Sequence, residues 1–190
     1  MASTSPPESG TRARTRRAII DAAVGVFSER PAAALGDVAD AAGVARSTLH
    51  RYFADRGELI AALVDHAIER GEAALAGASI DDGPPAAALR RLTRSYFEIG
   101  PLMVLLSSGK LEGGDDSLWA RLESADDPML GLIRRGLADG TFEPAFDAEW
   151  IRATFWAIVY SGWEMVSTGR IPRQSAIGTV VHTLEKALLA

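Results

Sequence analysis

The apolar residues of the N-terminal third fall at helical spacing. Ile19, Ala22, Ala23, Val26 and Phe27 recur at intervals of three and four, which puts them on one face of a helix, and Pro31 ends that helix. Leu35, Val38, Ala39 and Ala42 mark a second helix closed by Gly43, and a third short helix over Arg46–Phe53 buries Leu49 and Phe53. Asp55 with Glu58 three residues on reads as a capping box, with Asp in place of the usual Ser or Thr. It opens a fourth helix that carries Leu59, Ile60, Leu63 and Ile68 and fades near Gly77.

Asp81–Pro85 is a break. Beyond it the pattern predicts helices near 85–99, 101–108, 117–124, 127–138, 147–168 and 173–188. Gly100-Pro101 separates the first two, and Asp139-Gly140 is a turn signal that closes the fourth. There is no long run of alternating β-branched residues and no internal repeat. The expected fold is all-α: an N-terminal three-helix helix-turn-helix domain over 11–56, then a C-terminal helical domain over 57–190. Residues 1–10, rich in Ser, Pro and Gly, are expected to form a disordered tail.

Composition narrows the function classes. Of 190 residues, 47% are hydrophobic and 24% charged, ordinary values for a folded soluble chain. No apolar stretch is long enough to span a membrane, and the first ten residues lack the basic and apolar regions of a secretory signal. There is no cysteine, hence no disulfide framework and no thiolate metal site. A cytoplasmic location follows as the expectation. His50, His66 and His182 are scattered, with no carboxylate cluster at metal spacing and no glycine-rich phosphate loop. No catalytic residue, metal or cofactor is expected. The net charge of −5 looks unsuited to nucleic acid, but its distribution does not. Through Arg56 eight arginines stand against six acids, a balance of +2, which leaves −7 for the remainder. A basic head on an acidic body suits a DNA reader with a separate second domain.

The stretch Leu35–Leu59 carries the functional reading. Val38 and small Ala39 let a second helix cross close by, Gly43 turns the chain in the left-handed conformation, Val44 plugs the corner and Leu49 anchors the second helix. Arg46, Ser47, Thr48, His50 and Arg51 are left on an exposed face, able to enter a major groove. Arg46 could bond O6 and N7 of a guanine, and Thr48 could meet a thymine methyl or a phosphate. Tyr52 and Arg56 at the exit are suited to phosphates. Within the Arg12–Arg17 run, Arg17 is the candidate for a backbone or minor-groove contact.

Leu35, Val38-Ala39, Ala42-Gly43-Val44, Thr48-Leu49, Tyr52-Phe53, Asp55-Arg56 and Leu59 stand at the spacing of the N-terminal pattern of the TetR family of bacterial repressors, which this segment closely resembles. The resemblance covers about the first 60 residues. It implies a two-fold dimer that grips a pseudo-palindromic double-stranded operator, with recognition helices about 34–36 Å apart. It also implies that the domain over 57–190 serves ligand binding and dimerisation, with a small-molecule effector bound in the helical body and dimerisation through helices 147–168 and 173–188. There are departures. Ala34 and Ala45 replace capping hydroxyls, a loss of about 0.5–2 kcal/mol each if nothing substitutes. Ser47 replaces Gly, His50 replaces Tyr, and Arg56 replaces Lys.

The body offers candidate effector contacts. Helix 147–168 is apolar nearly all round, so it is expected to be buried on two sides. One side carries Trp156, Val159, Tyr160 and Trp163, the other Ile151, Phe155, Ile158 and Met165. Ala157, Ser161 and Gly162 are small enough to admit another helix. The last helix carries Ile177, Val181, Leu184 and Leu188 on one stripe. Tyr96, Phe97, Met103, Trp119, Ile133, Trp156, Tyr160 and Trp163 are the candidates to line an apolar or aromatic pocket. The competing reading is a helical small-molecule-binding protein without a DNA target, to which Ala34 and Ala45 lend weight.

Overall fold

The computed structural model describes residues 10–107, 111 and 128–190. Among them the chain forms nine helices: α1 (Gly10–Glu29), α2 (Leu35–Ala41), α3 (Arg46–Tyr52), α4 (Arg56–Ala78), α5 (Pro85–Phe97), α6 (Gly100–Ser107), α7 (Pro128–Ala138), α8 (Ala148–Ser167) and α9 (Arg173–Leu188). The only pairing of strand type among the described residues is a single bridge, Phe142 with Leu189, which fastens the C-terminus beside the α7–α8 turn. The helix expected over 117–124, with Trp119, lies outside the described residues, as do residues 1–9 of the expected tail. Gly10 is already helical.

The local signals act as their chemistry dictates. Gly43 adopts φ +66° between α2 and α3. The Asp55 carboxylate accepts from the Glu58 N–H at 2.9 Å, and the Glu58 carboxylate accepts from the Ala54 N–H at 2.7 Å, which satisfies orphan donors at the head of α4. Gly140 takes φ +76° after α7, and Asp139 accepts from the Thr141 N–H at 3.0 Å. α2 recovers part of its missing cap: Asp37 accepts from the Ala34 N–H at 2.9 Å, the reverse half of a capping box. α3 has no side-chain cap at Ala45.

Two cores form. In the first, Ile19, Ile20 and Phe27 of α1 meet Val38 and Ala39 of α2, Leu49 and Phe53, and Leu59 and Leu63 of α4. Leu102, Leu105 and Leu106 of α6 join this core, so the body reaches into the head. In the second, Leu89 and Leu92 of α5, Met129 and Ile133 of α7, Phe155 and Val159 of α8, and Val180 and Leu184 of α9 pack together. Met103 packs against both cores. The first half of α4 belongs to the head core, while Ala74 and Ala78 belong to the body core.

Two arginines fasten the far end of α4. Arg91 of α5 donates to the carbonyls of Ala78 at 2.7 Å, Ser79 at 2.8 Å and Asp82 at 2.6 Å. Arg135 of α7 donates to those of Ile80 at 2.7 Å and Asp81 at 3.0 Å. The carbonyls of Ala78 and Ser79 are among those a helix end leaves orphaned, and those of Ile80, Asp81 and Asp82 belong to the turn that follows; a guanidinium fork suits both. α4 is therefore a rod pinned into the body at one end and packed into the head at the other.

Gly162 of α8 admits another helix of the same chain. It is buried against α9, where a Cβ would lie 2.4 Å from Val180 Cγ2 and 3.0 Å from Phe97 Cζ. It serves the packing of α8 on α9 and α5 within one chain. Ala153, Ala157 and Ser161 are exposed on the outer side of α8, and Gly178 is exposed on α9.

Candidate nucleic-acid interface

α3 presents Arg46, Ser47, His50 and Arg51 to solvent, while Leu49 beneath them is fully buried. Thr48 and Tyr52 are half-buried at its edges. The Arg46 side chain lies across Gly36 of α2: a Cβ at Gly36 would come within 2.9 Å of its guanidinium carbon and Nε. The absence of a side chain at Gly36 thus gives the arginine its resting place against the preceding helix.

His50 is oriented by its own helix end. Its Nδ1 lies 3.1 Å from the Ala54 carbonyl, which can only accept, so Nδ1 carries the hydrogen. In the neutral imidazole of this exposed residue Nε2 is then an acceptor, suited to an exocyclic amine of adenine or cytosine. Protonation would turn the same nitrogen into a donor.

The α1 start adds cations to this surface. The Arg12 guanidinium stands 5.8 Å and that of Arg51 5.9 Å from the centroid of the Tyr52 ring, so two cations converge on one aromatic at the α1–α3 junction. Thr11, Arg12, Arg51 and Tyr52 line an open cavity of about 290 Å³ there. Arg16 stands 5.5 Å over the Phe53 ring. This mix of guanidinium groups and a tyrosyl hydroxyl around a concavity is chemistry suited to a phosphodiester.

Two residues expected at this surface are placed elsewhere. Arg17 lies about 100° around α1 from Arg16. It pairs with Asp21 at 3.1 Å and faces α4 and the α5–α6 junction. Arg56 is half-buried inside the head: its guanidinium sits 4.3 Å over the Phe27 ring and donates to the carbonyls of Ala33, at 2.7 Å, and Pro31. It holds the α1–α2 connection and turns away from the groove-facing surface. Arg12 and Arg16, not Arg17, are the cations of this run that stand by the Tyr52 and Phe53 rings of the α3 end. Their four-residue spacing, which stacks them on one stripe of α1, was the signal that could have found them.

In the body, four of the expected effector contacts come together. The rings of Tyr96 and Trp156 are 4.8 Å apart, those of Trp156 and Trp163 are 6.2 Å apart, and those of Trp163 and Phe97 are 6.2 Å apart. Phe155, assigned from sequence to the other side of its helix, joins them 5.3 Å from Trp156. The indole N–H of Trp163 is buried with no hydrogen-bond partner among the described residues. Ile133 is fully buried in the same core, and Met103 and Tyr160 pack at its margin. Trp119 lies outside the described residues.

Comparisons with known proteins agree with this geometry. Residues 19–63, which span the second half of α1 through the first part of α4, match the model of "Bacterial regulatory proteins, tetR family". The chain is 37% identical over 187 residues to the HTH-type transcriptional repressor LfrR of Mycolicibacterium smegmatis, covering 98% of this chain and 97% of that protein. It is 28% identical over 176 residues to the HTH-type transcriptional regulator NfxB of Pseudomonas aeruginosa, covering 90% of each. The crystal structure of LfrR in complex with proflavine superposes with a TM-score of 0.74 at 35% identity, over 93% of this chain and 98% of that one.

Proposed function

The chain belongs to the TetR family of bacterial regulatory proteins, and on that premise we propose that it is a dimeric transcriptional repressor whose grip on a pseudo-palindromic operator is released by a flat aromatic effector. The observation that carries this reading is the likeness to LfrR, which runs through head and body alike and leaves almost no part of either chain uncovered. In the functional division we keep, residues 11–56 are the DNA reader and 57–190 the sensing and dimerising body. Arg46, Ser47, Thr48 and His50 face the bases, and Arg12, Arg16, Arg51 and Tyr52 grip phosphates. Tyr96, Phe97, Trp156 and Trp163 receive the effector. The exposed outer side of α8 and α9, with small Ala157, Ser161 and Gly178 at its centre, packs on a second copy about a two-fold axis.

The mechanism follows from α4. Its C-terminal end is held by Arg91 and Arg135, and its N-terminal half carries the head core. An effector seated among the aromatic rings must part side chains that now touch. The unpartnered Trp163 N–H then offers an acceptor on the effector a hydrogen bond in a dry site, which stabilises the parted state. Displacement of α5 or α8 is passed to α6, whose Leu102, Leu105 and Leu106 lie in the head core, and the two heads lose the spacing of one DNA turn. The size of the response is bounded by the effector's differential affinity for the two states.

Proflavine, the ligand named for the LfrR complex, is the probe to use. Added to the protein on its operator, it should release the DNA. Trp156→Ala should weaken proflavine binding about tenfold or more, the loss of one stacking partner and its area. Proflavine binding that ignores Trp156 and Trp163 alike would remove the aromatic cluster from the effector site.

A further inference from the structure

We propose that the cleft where α1, α4 and the α5–α6 junction meet is a second ligand site, built for a short-chain carboxylate anion. The cleft has a volume of about 190 Å³, and its lining combines Arg17, Asp21, His66, Arg70 and Glu98 with apolar Val24, Ile99 and Leu102. It stands apart from the aromatic cluster and at the joint between head and body. At about 30 Å³ per water it holds about six waters, or a carboxylate with an acyl chain of about four to six carbons.

The charges select the class. Asp21 is neutralised by Arg17 at 3.1 Å, and Glu98 by Arg173 at 2.6 Å, so neither carboxylate is free to draw a cation. Arg70 lines the same cleft and has no hydrogen bond or ion pair among the described residues. His66 is 7% exposed, and it too has no hydrogen bond; its nearest opposite charge is Glu69 at 3.8 Å. A buried imidazole whose charged contact is a 3.8 Å pair with an exposed glutamate, and a guanidinium fork with no hydrogen bond or ion pair among the described residues, line the same cleft and leave donors for an anion. Val24, Ile99 and Leu102 in the same lining provide for a carbon tail, which distinguishes an aliphatic carboxylate from phosphate.

The groups facing His66 fix the pH behaviour. Burial and the Arg17 charge hold its pKa below the usual value, Asp21 and Glu69 oppose them, and Arg70 adds to the lowering. Glu98, on the α5–α6 side of the cleft, is spent on Arg173. A bound carboxylate favours the imidazolium, so binding takes up a proton and tightens as the pH falls. Because one wall belongs to α1 and the others to α4 and the α5–α6 junction, an occupied cleft favours one setting of the head. That consequence rests on the function proposed above; the binding itself does not.

The test is calorimetric titration of the full-length protein, without DNA, with butyrate, hexanoate, inorganic phosphate and chloride at constant ionic strength. The expected result is saturable binding of hexanoate with one site per chain, weakened about tenfold in Arg70→Gln and partly restored in Arg70→Lys. In parallel, the His66 ring resonances followed by NMR should report a higher pKa in the presence of hexanoate. Arg70 is half-exposed, and Arg70→Gln should keep the wild-type melting temperature. Absence of saturable carboxylate binding, binding unaltered in Arg70→Gln, an unmoved His66 pKa, or phosphate binding as tightly as hexanoate would each overturn the proposal.

Discussion

Arg56 separates two accounts of a charge that sequence alone assigns to the DNA backbone. Its guanidinium stacks on Phe27 and donates to two carbonyls of the α1–α2 connection. A hydrogen bond from a charged donor contributes about 1.5–3 kcal/mol, and a partly desolvated cation–π contact about 1–2 kcal/mol. These share one group that is only half-buried and do not add, so Arg56→Ala should destabilise the protein by about 3 kcal/mol. Against a typical stability of about 5–15 kcal/mol that is a large fraction. Arg56→Lys keeps the charge but loses the planar stack and the fork, and should lose about half as much. Urea unfolding followed by circular dichroism at fixed protein concentration measures both. The companion assay is the salt dependence of operator affinity by fluorescence anisotropy. A buried clamp leaves the slope of log affinity against log salt unchanged in both variants. A phosphate contact would lower it by about 0.9 in Arg56→Ala and restore it in Arg56→Lys. Wild-type unfolding together with a reduced slope would refute the structural reading.

Three further outcomes are expected. Arg12→Ala and Arg51→Ala should each lower the salt slope by about one, with similar losses on operator and random DNA, whereas Arg17→Ala should leave the slope unchanged. Gly162→Ala places a Cβ 2.4 Å from Val180 Cγ2 and should destabilise the protein by about 1–3 kcal/mol in thermal melting. Val180→Ala, by making room, should reduce that loss in the double variant. His66 titrates near 6.5 in the unfolded chain and lower in the folded one. The unfolded state therefore binds more protons as the pH falls below 6.5, and stability present above that pH declines toward the folded pKa. In His66→Gln this part of the pH dependence should be absent from urea midpoints measured across that window.

The helices were legible because their signals are local. Apolar spacing, Pro31, Gly43, the Asp55–Glu58 pair and the Asp139-Gly140 turn each act within a few residues, and each produces the local structure its chemistry implies. The direction of individual side chains was not legible, because it depends on what packs across the helix. Arg56 is drawn inward by Phe27 and two carbonyls presented from elsewhere in the chain. Gly162 is claimed by Val180 and Phe97, and Phe155 by Trp156 and Tyr96. The same holds for the cleft. His66 and Arg70 share a face of α4 by their four-residue spacing, but Arg17 and Glu98 stand on other elements, and no spacing rule along the chain brings them to that pair.

The account rests on sequence-specific DNA binding by a two-fold dimer, and selection of sites from random duplex DNA with the purified full-length protein at moderate salt tests it most directly. The expected product is an inverted repeat with half-sites about one helical turn apart, 10–10.5 base pairs centre to centre. The selected site should lose enrichment at one base position when Arg46→Ala is used in place of the wild type. No enriched sequence at any salt concentration, with or without proflavine, would contradict the account and leave the chain as a helical small-molecule sensor without a DNA target.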